Sequence, residues 1–284
     1  MVDFTKAKHI FEPVPPKMIL YGRNGIGKSR FAMQAPNAIF LDFDKNLAQY
    51  KVVTNKSEGI SYPLETFQQV LDFITLLINE PHDFKTVIID TFSSLNMIIE
   101  NQVKLEKNIA SVGALDFGKG YEFSRILWEQ LLRKLDYLWE KRKVMIILIG
   151  HDQIKEIKDL AHGNYHAYEL ALNEKIISMF RHWCSIMVYA TVNKRIKEET
   201  GNFGRVNKKI LDSKRVLYTE GDEIFLAKNT FGLPPILPFD DVQATWTIFW
   251  NHINSYYQPK SEQQVSKPEQ QTAKPQTQET KGDK

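Results

Sequence analysis

Eight consecutive residues, Gly22-Arg23-Asn24-Gly25-Ile26-Gly27-Lys28-Ser29, carry the spacing G-x-x-x-x-G-K-[ST]. Each residue type in that pattern has a task. The glycines let the backbone curl around phosphate oxygens where a β-carbon would clash. The Lys28 ammonium reaches the β- and γ-phosphates, and the Ser29 hydroxyl ligates Mg2+. Arg30 follows in the opening turn of an expected helix, whose unpaired N–H groups and positive dipole end add to the anion site. The run from Gly22 to Arg30 therefore implies ATP and Mg2+ as cofactors, and a loop that holds phosphate.

A loop of this kind needs a carboxylate at the end of a neighbouring apolar strand to hold the metal through water. Thr86-Val87-Ile88-Ile89-Asp90 supplies one, so Asp90 joins Ser29 as a metal residue. Hydrolysis also needs a carboxylate that orients or deprotonates the attacking water. Phe40-Leu41-Asp42-Phe43-Asp44 offers two, which strand alternation points the same way. Asp44, further towards the carboxyl edge, is the candidate; the alternative is that one or both cap a loop. Ile147-Leu148-Ile149-Gly150-His151 places His151 at another strand's carboxyl edge, where it can sense the γ-phosphate or serve a structural role.

These residues need a frame. Met18–Tyr21, Ala38–Asp42, Thr86–Asp90 and Val144–Ile149 are short apolar runs, as expected of strands covered on both faces. Helical spacing appears over Ser29–Gln34, Leu64–Ile78 and Tyr121–Lys141. Strands alternating with helices give an α/β fold with a mainly parallel central sheet flanked by helices. In the second half, a helix around Leu170–Trp183 precedes a strand over Cys184–Val192. A hairpin turning near Glu199–Asn202 follows, then a strand at Val216–Tyr218 and a last helix through Val242–Ile253. Residues 1–16 read as an irregular lead-in and 17–257 as the ATPase domain. Residues 258–284, rich in Lys, Gln, Glu and Pro, read as a disordered tail.

Composition narrows the class. A chain of 284 residues, 43% hydrophobic and 25% charged, can build one large core. The net charge of +3 does not by itself make a nucleic-acid binder, so any basic surface must be local. The single cysteine, Cys184, excludes a disulfide framework and fits a small buried hydrophobe. With no signal-like or membrane-spanning run, a cytoplasmic protein with no membrane partner is expected.

The segment from Lys17 to Pro238 resembles the RecA/RadA-like P-loop ATPases, and more closely the phage-encoded Sak-type nucleotide-binding proteins of single-strand annealing recombination. Four stretches carry the resemblance. Phe40 to Leu47 is similar to the segment that bears the family's catalytic glutamate, which gives Asp44 that role with a side chain one methylene shorter; slow hydrolysis is implied. Asp116 to Tyr121 looks like the first DNA-facing loop. His151-Asp152-Gln153 looks like the sensor that opens the second, over about Asp152 to Tyr168. Ala227 to Pro234 resembles the Lys-Asn-Arg-Phe-Gly motif, with Thr230 where the family has arginine. By that match Lys228 acts catalytically on the nucleotide of a neighbouring subunit. The resemblance thus implies a RecA-like core, a homo-oligomer (ring or filament), and the host cytoplasm for a phage-encoded chain.

Lys119 and Tyr121 in the first loop, and Lys155 and Lys158 in the second, are suited to phosphate neutralisation and base stacking, though each also suits an ordinary surface loop. The runs at Lys194–Lys197, Lys208-Lys209 and Lys214-Arg215 read as solvated faces of the hairpin. The leading function is an ATP-hydrolysing recombination protein that binds single-stranded DNA and assists strand annealing. A loader or partner-remodelling ATPase, working with a single-strand-binding or replication protein, is the alternative. A small-molecule kinase would need an arginine-rich lid, and the arginines at 125, 133, 142, 181 and 195 are scattered.

Overall fold

The structure is a computed structural model that describes residues 14–45, 60–61, 64–159, 163–200 and 206–256. The expected tail, most of the lead-in, the tip of the hairpin, His162, and Asn46-Leu47 lie outside the described residues.

The first three strands expected from apolar runs form as β1 (Lys17–Gly22), β2 (Ala38–Asp42) and β4 (Thr86–Asp90), with a short β3 (Ile60–Ser61) beside β2. The fourth run becomes β5 (Met145–Gly150), buried at every position. Alternation splits these strands between two cores. Ile19, Ile39, Leu41, Val87, Ile89, Ile146 and Leu148 face one, while Met18, Leu20, Phe40, Ile88, Ile147 and Ile149 face the other. A strand buried on both faces has no polar side, which is why these segments read as unbroken apolar runs.

Helix α1 (Lys28–Ala32) follows the glycine loop. Helix α2 (Phe67–Asn79) starts at Thr66, whose hydroxyl accepts from the Gln69 amide in a capping box. Helix α3 (Phe92–Lys107) is capped by Thr91 and ends on Asn108 in the left-handed conformation. Helix α4 (Lys119–Arg142) packs on α2 and α3; its Trp128 is fully buried and donates to Asn96 Oδ1 at 2.9 Å. Helices α2, α3, α4 and α5 (Glu174–Trp183) cover the first core. On the second face, α1 packs against α6 (Val242–Tyr256).

Two expectations change here. The stretch after His151 is not an open loop: β6 (Asp152–Ile157) and β7 (Tyr165–Leu170) pair antiparallel as a separate two-stranded sheet. Alternating Ile154 and Lys155 against Tyr168 and Ala167 supports the ladder, and α5 starts only at Glu174, where the Asn173 side chain accepts from the Lys175 amide. The C-terminal hairpin, expected to span Cys184–Val192 and a short strand at Val216–Tyr218, is longer and joins the central sheet. Strand β8 (Ile186–Thr200) pairs parallel with β1, and β9 (Val206–Tyr218) pairs antiparallel with β8. The short β10 (Lys228–Asn229) and β11 (Ile236–Pro238) complete one mixed sheet, ordered β11-β9-β8-β1-β5-β4-β2-β3 with β10 on β8. Among the described residues no helix is long and apolar enough to cross a membrane.

The phosphate-loop helix is short, at 5 residues, and therefore depends on packing. Phe31 is fully buried, with its ring 5.8 Å from Phe239, 5.0 Å from Trp246 and 5.7 Å from Phe249. Phe31→Ala should cost about 3–5 kcal/mol by opening this aromatic cluster. Thermal unfolding would show it as a drop of roughly 6–20 °C, at about 2–4 °C per kcal/mol for a domain of this size.

Candidate nucleotide-binding site

Parallel register brings the expected site residues to one edge. Asp42 is level with Asp90, Asp90 with Ile149, and Gly150 with Tyr21, the residue before the loop. Every one of these strands ends in the same row, and the side chains just beyond it surround a cavity of about 400 Å3. Asn24, Gly25, Gly27, Lys28, Ser29 and Arg30 line it from the loop, and Asp44, Asp90, Thr91 and His151 from the neighbouring strand ends.

The loop's conformation needs its glycines. At Gly22, φ is +145° and an added β-carbon would lie 2.0 Å from the Ala190 carbonyl oxygen. Gly27 has φ of +115° at the turn into α1. Lys28 is 5% exposed, and its Nζ donates to the Gly22 carbonyl at 2.8 Å and the Arg23 carbonyl at 2.9 Å. Arg23 thus contributes its main chain, and Ile26 turns a buried side chain away from the cavity.

The carboxylates differ by environment. Burial pushes Asp90 up to about 6, opposed by the Ser29 hydroxyl and reinforced by Asp44 and Asp42. The peptide joining Asp90 to Thr91 is cis. Asp44 is held below the usual carboxylate range, chiefly by His151, whose Nε2 lies 3.8 Å from its Oδ2. The hydroxyls of Ser94 and Thr91 both donate to Asp44 Oδ1. Asp42, expected to point the same way as Asp44, is instead buried in the last residue of β2 and does not line the cavity. The chain bends at Phe43 and Asp44, just beyond the end of β2, so strict alternation ends one residue before Asp44.

Burial also lowers Lys28 to about 8, although Asp152, Asp90 and Asp44 oppose the shift. The residues present fit a magnesium-bound nucleotide. A buried ammonium held only by carbonyls and a buried carboxylate beside a serine hydroxyl are two opposite charges that burial disfavours and that phosphate and cation would offset.

Proton linkage has a defined sign at both groups. Asp90 with a raised pKa favours the fold at low pH, a contribution lost as pH rises through about 6. Lys28 with a lowered pKa favours the fold at high pH, and that contribution is lost as pH falls through about 8. Between these limits both groups are charged as the ligand requires. Affinity for magnesium-bound nucleotide should therefore be greatest between about pH 6 and 8, and should fall up to about tenfold per unit outside. Calorimetry across pH, corrected for the nucleotide's own titration, measures this window.

Other expected residues lie elsewhere. Lys228 is not at the cavity: its Nζ donates to the carbonyls of Arg181 at 2.8 Å and Cys184 at 2.6 Å, closing the C-terminal end of α5. Lys119 and Tyr121 are exposed on the first turn of α4, not on an open loop, because short 3-10 turns at Val112–Ala114 and Asp116–Gly118 lead into that helix. Lys155 sits within 3.3 Å of Glu174 and 3.6 Å of Glu169, and Lys158 is exposed.

Arg215 is the residue that the sequence reading missed. It belongs to a run that by composition suits a solvated face, yet it lines the cavity from β9. Its Nη1 lies 3.4 Å from the Ile26 carbonyl oxygen, and its Nη2 donates to the Asp240 carbonyl at 2.7 Å. The run Lys214-Arg215 held the signal, yet only the β8–β9 register, which pairs Arg215 with Val192, brings it over the loop.

A glycine loop between strand and helix, with carboxylates on adjacent strand ends of a mostly parallel sheet, defines an α/β nucleotide-binding fold of the P-loop kind. Residues 14–231 match the family model of an AAA domain, so the chain belongs to that family and is an AAA-type nucleotide-binding ATPase. No curated protein matches the chain significantly.

Proposed function

We propose that this ATPase is a RecA-like recombination protein that binds single-stranded DNA and assists strand annealing as a homo-oligomer, its nucleotide cycle controlling its grip on DNA. One observation carries the reading: the two segments suited to a nucleic-acid strand are linked through α5 by ion pairs, and the second of them starts at the nucleotide site. His151, 3.8 Å from Asp44, is followed directly by β6. Lys155 of β6 contacts Glu174 at the start of α5, and Lys175 of α5 donates to Glu122 in the first turn of α4 at 3.0 Å. Beside that turn Phe117 is 98% exposed, with φ of +57°, and Lys119 and Tyr121 are its neighbours. An aromatic held out in water next to cations is what base stacking and phosphate neutralisation use. Because Lys155 already shares two carboxylates, the phosphate contacts fall chiefly to Lys119 and Lys158.

In the ATPase reaction, Ser29 and Asp90 would hold Mg2+, which supplies charge neutralisation at the phosphates. Lys28 binds the β- and γ-phosphates. Asp44, held ionised and oriented by two hydroxyls, accepts the proton of the attacking water, and His151 holds the outer oxygen of Asp44. Lys228 lies on β10 beside Met187, three positions before Ala190 in β8, which is level with Gly22. It is therefore set back from its own cavity, and action on a neighbouring subunit's nucleotide would require its Nζ to leave the Arg181 and Cys184 carbonyls.

The test is ATP turnover with and without single-stranded DNA, together with DNA affinity across salt. Turnover should rise with DNA, and affinity should fall steeply as salt increases, because phosphate contacts release counterions. Turnover indifferent to DNA, with no DNA binding when ATP is present, overturns the reading. The exposed Phe117, and Ile154 at 64% exposure, also suit a protein partner such as a single-strand-binding or replication protein. In that case a partner, and not DNA, would stimulate turnover, as a loader requires.

A further inference from the structure

We propose that Arg215 is a nucleotide-binding residue that grips the α- and β-phosphates, the part ATP and ADP share, from the flank of the loop opposite Asp44 and His151. The inference rests on nucleotide binding at the glycine loop.

Sheet order sets the flank. β5, β4 and β2 lie on one side of β1 and bring His151, Asp90 and Asp44; β8 and β9 lie on the other and bring Arg215. Register sets the height. Gly22 is level with Ala190, Ala190 with Leu217, and Arg215 sits two residues further on, opposite Val192. Two strand residues rise about 6–7 Å, so Arg215 overhangs the loop instead of lying beside β1.

The guanidinium is held ready. Nη2 and Nε are taken by Asp240, at 2.7 Å to its carbonyl and 3.5 Å to its carboxylate, and the same carboxylate accepts from the Arg215 amide at 3.2 Å. The Asp240 segment is itself fixed, since the neighbouring Phe239 is fully buried against Phe31 of the phosphate-loop helix. Nη1 alone points into the loop, with only a long contact to Ile26 and 3.7 Å from where a β-carbon on Gly27 would be. A fork tethered on one side and weakly bonded on the other gains most by exchanging that weak contact for a charge-assisted bond to phosphate. Nη1 lies over Ile26 and Gly27 of the loop itself, and the backbone of such a loop cradles the α- and β-phosphates, so these are within reach and not the terminal one beside Asp44.

Arg215→Gln keeps a donor for the Asp240 carbonyl and removes the charge; Arg215→Lys keeps the charge and loses the fork. Calorimetry with ADP and with a non-hydrolysable ATP analogue reads both variants beside the unaltered protein. The Gln variant should bind both nucleotides on the order of tenfold more weakly and to an equal degree, with partial recovery in the Lys variant. Unfolding temperature of the nucleotide-free protein should be unchanged. Equal affinities for the unaltered and Gln proteins would overturn the assignment. A loss confined to the ATP analogue would also overturn it, placing Arg215 at the γ-phosphate. An unaltered protein that fails to bind ADP would instead refute the nucleotide site itself, whatever Arg215 does.

Discussion

Lys28→Ala should abolish measurable nucleotide binding while leaving the fold intact. The ammonium is almost wholly buried, and in the free protein its partners are two loop carbonyls, Gly22 and Arg23. Burial has already lowered its pKa to about 8, so the side chain is held charged at neutral pH against its surroundings. A phosphate would relieve that. Removing the ammonium deletes the cation that burial has left least compensated, where its bonds to phosphate act in a shielded site. Two charge-assisted bonds at about 1.5–3 kcal/mol each give a loss of affinity of a hundredfold or more. The free protein should be less affected, since the substitution also removes a charge that burial disfavours and leaves its two carbonyls beside an open cavity. Calorimetry with ADP and a thermal unfolding curve separate the two effects. Nucleotide binding preserved in the variant would remove Lys28 from the site; a collapsed unfolding curve would show the lysine to be structural.

The frame of this site was legible because its strands are buried on both faces. Met18–Leu20 and Val87–Ile89 are apolar throughout, so the first polar residue after such a run marks a strand end, and parallel register then collects those ends. Phe92–Lys107 went unread as a helix although Phe92, Leu95, Ile99 and Val103 give the core stripe, because Ser93, Ser94 and Asn96 interrupt it with residues that favour caps and turns. Those polar residues have work at the site: Ser94 donates to Asp44, and the Ser93 hydroxyl accepts from the His151 amide at 3.2 Å. Arg215 and the β6–β7 ladder were unreadable for a different reason. Long-range register decides both, and no local pattern encodes which residue of one strand meets which residue of the next.

That web of hydroxyls around Asp44 sets up the second large effect. Asp44→Asn should keep nucleotide affinity near that of the unaltered protein and lower turnover by about a hundred- to a ten-thousandfold, the range expected on losing a general base. The substitution is nearly isosteric, and Asp44 lies on the wall of the cavity away from Lys28's carbonyl partners, so the loop itself need not move. What changes is at the oxygens. Ser94 and Thr91 both donate to Oδ1, and His151 stands against Oδ2. An amide can present its oxygen to the two hydroxyls only by turning its NH2 towards His151, where no negative charge remains to take a proton from water. Single-turnover hydrolysis, with binding measured separately, isolates this step. Loss of both binding and turnover would mean that Asp44 shapes the loop; unchanged turnover would pass the proton to another group, with His151 the nearest. Removing the hydroxyl partner tests the same geometry from the other side. In Ser94→Ala, Asp44 keeps its charge but loses one of the donors that orient it, so turnover should fall by less than in the Asn variant, with affinity again preserved.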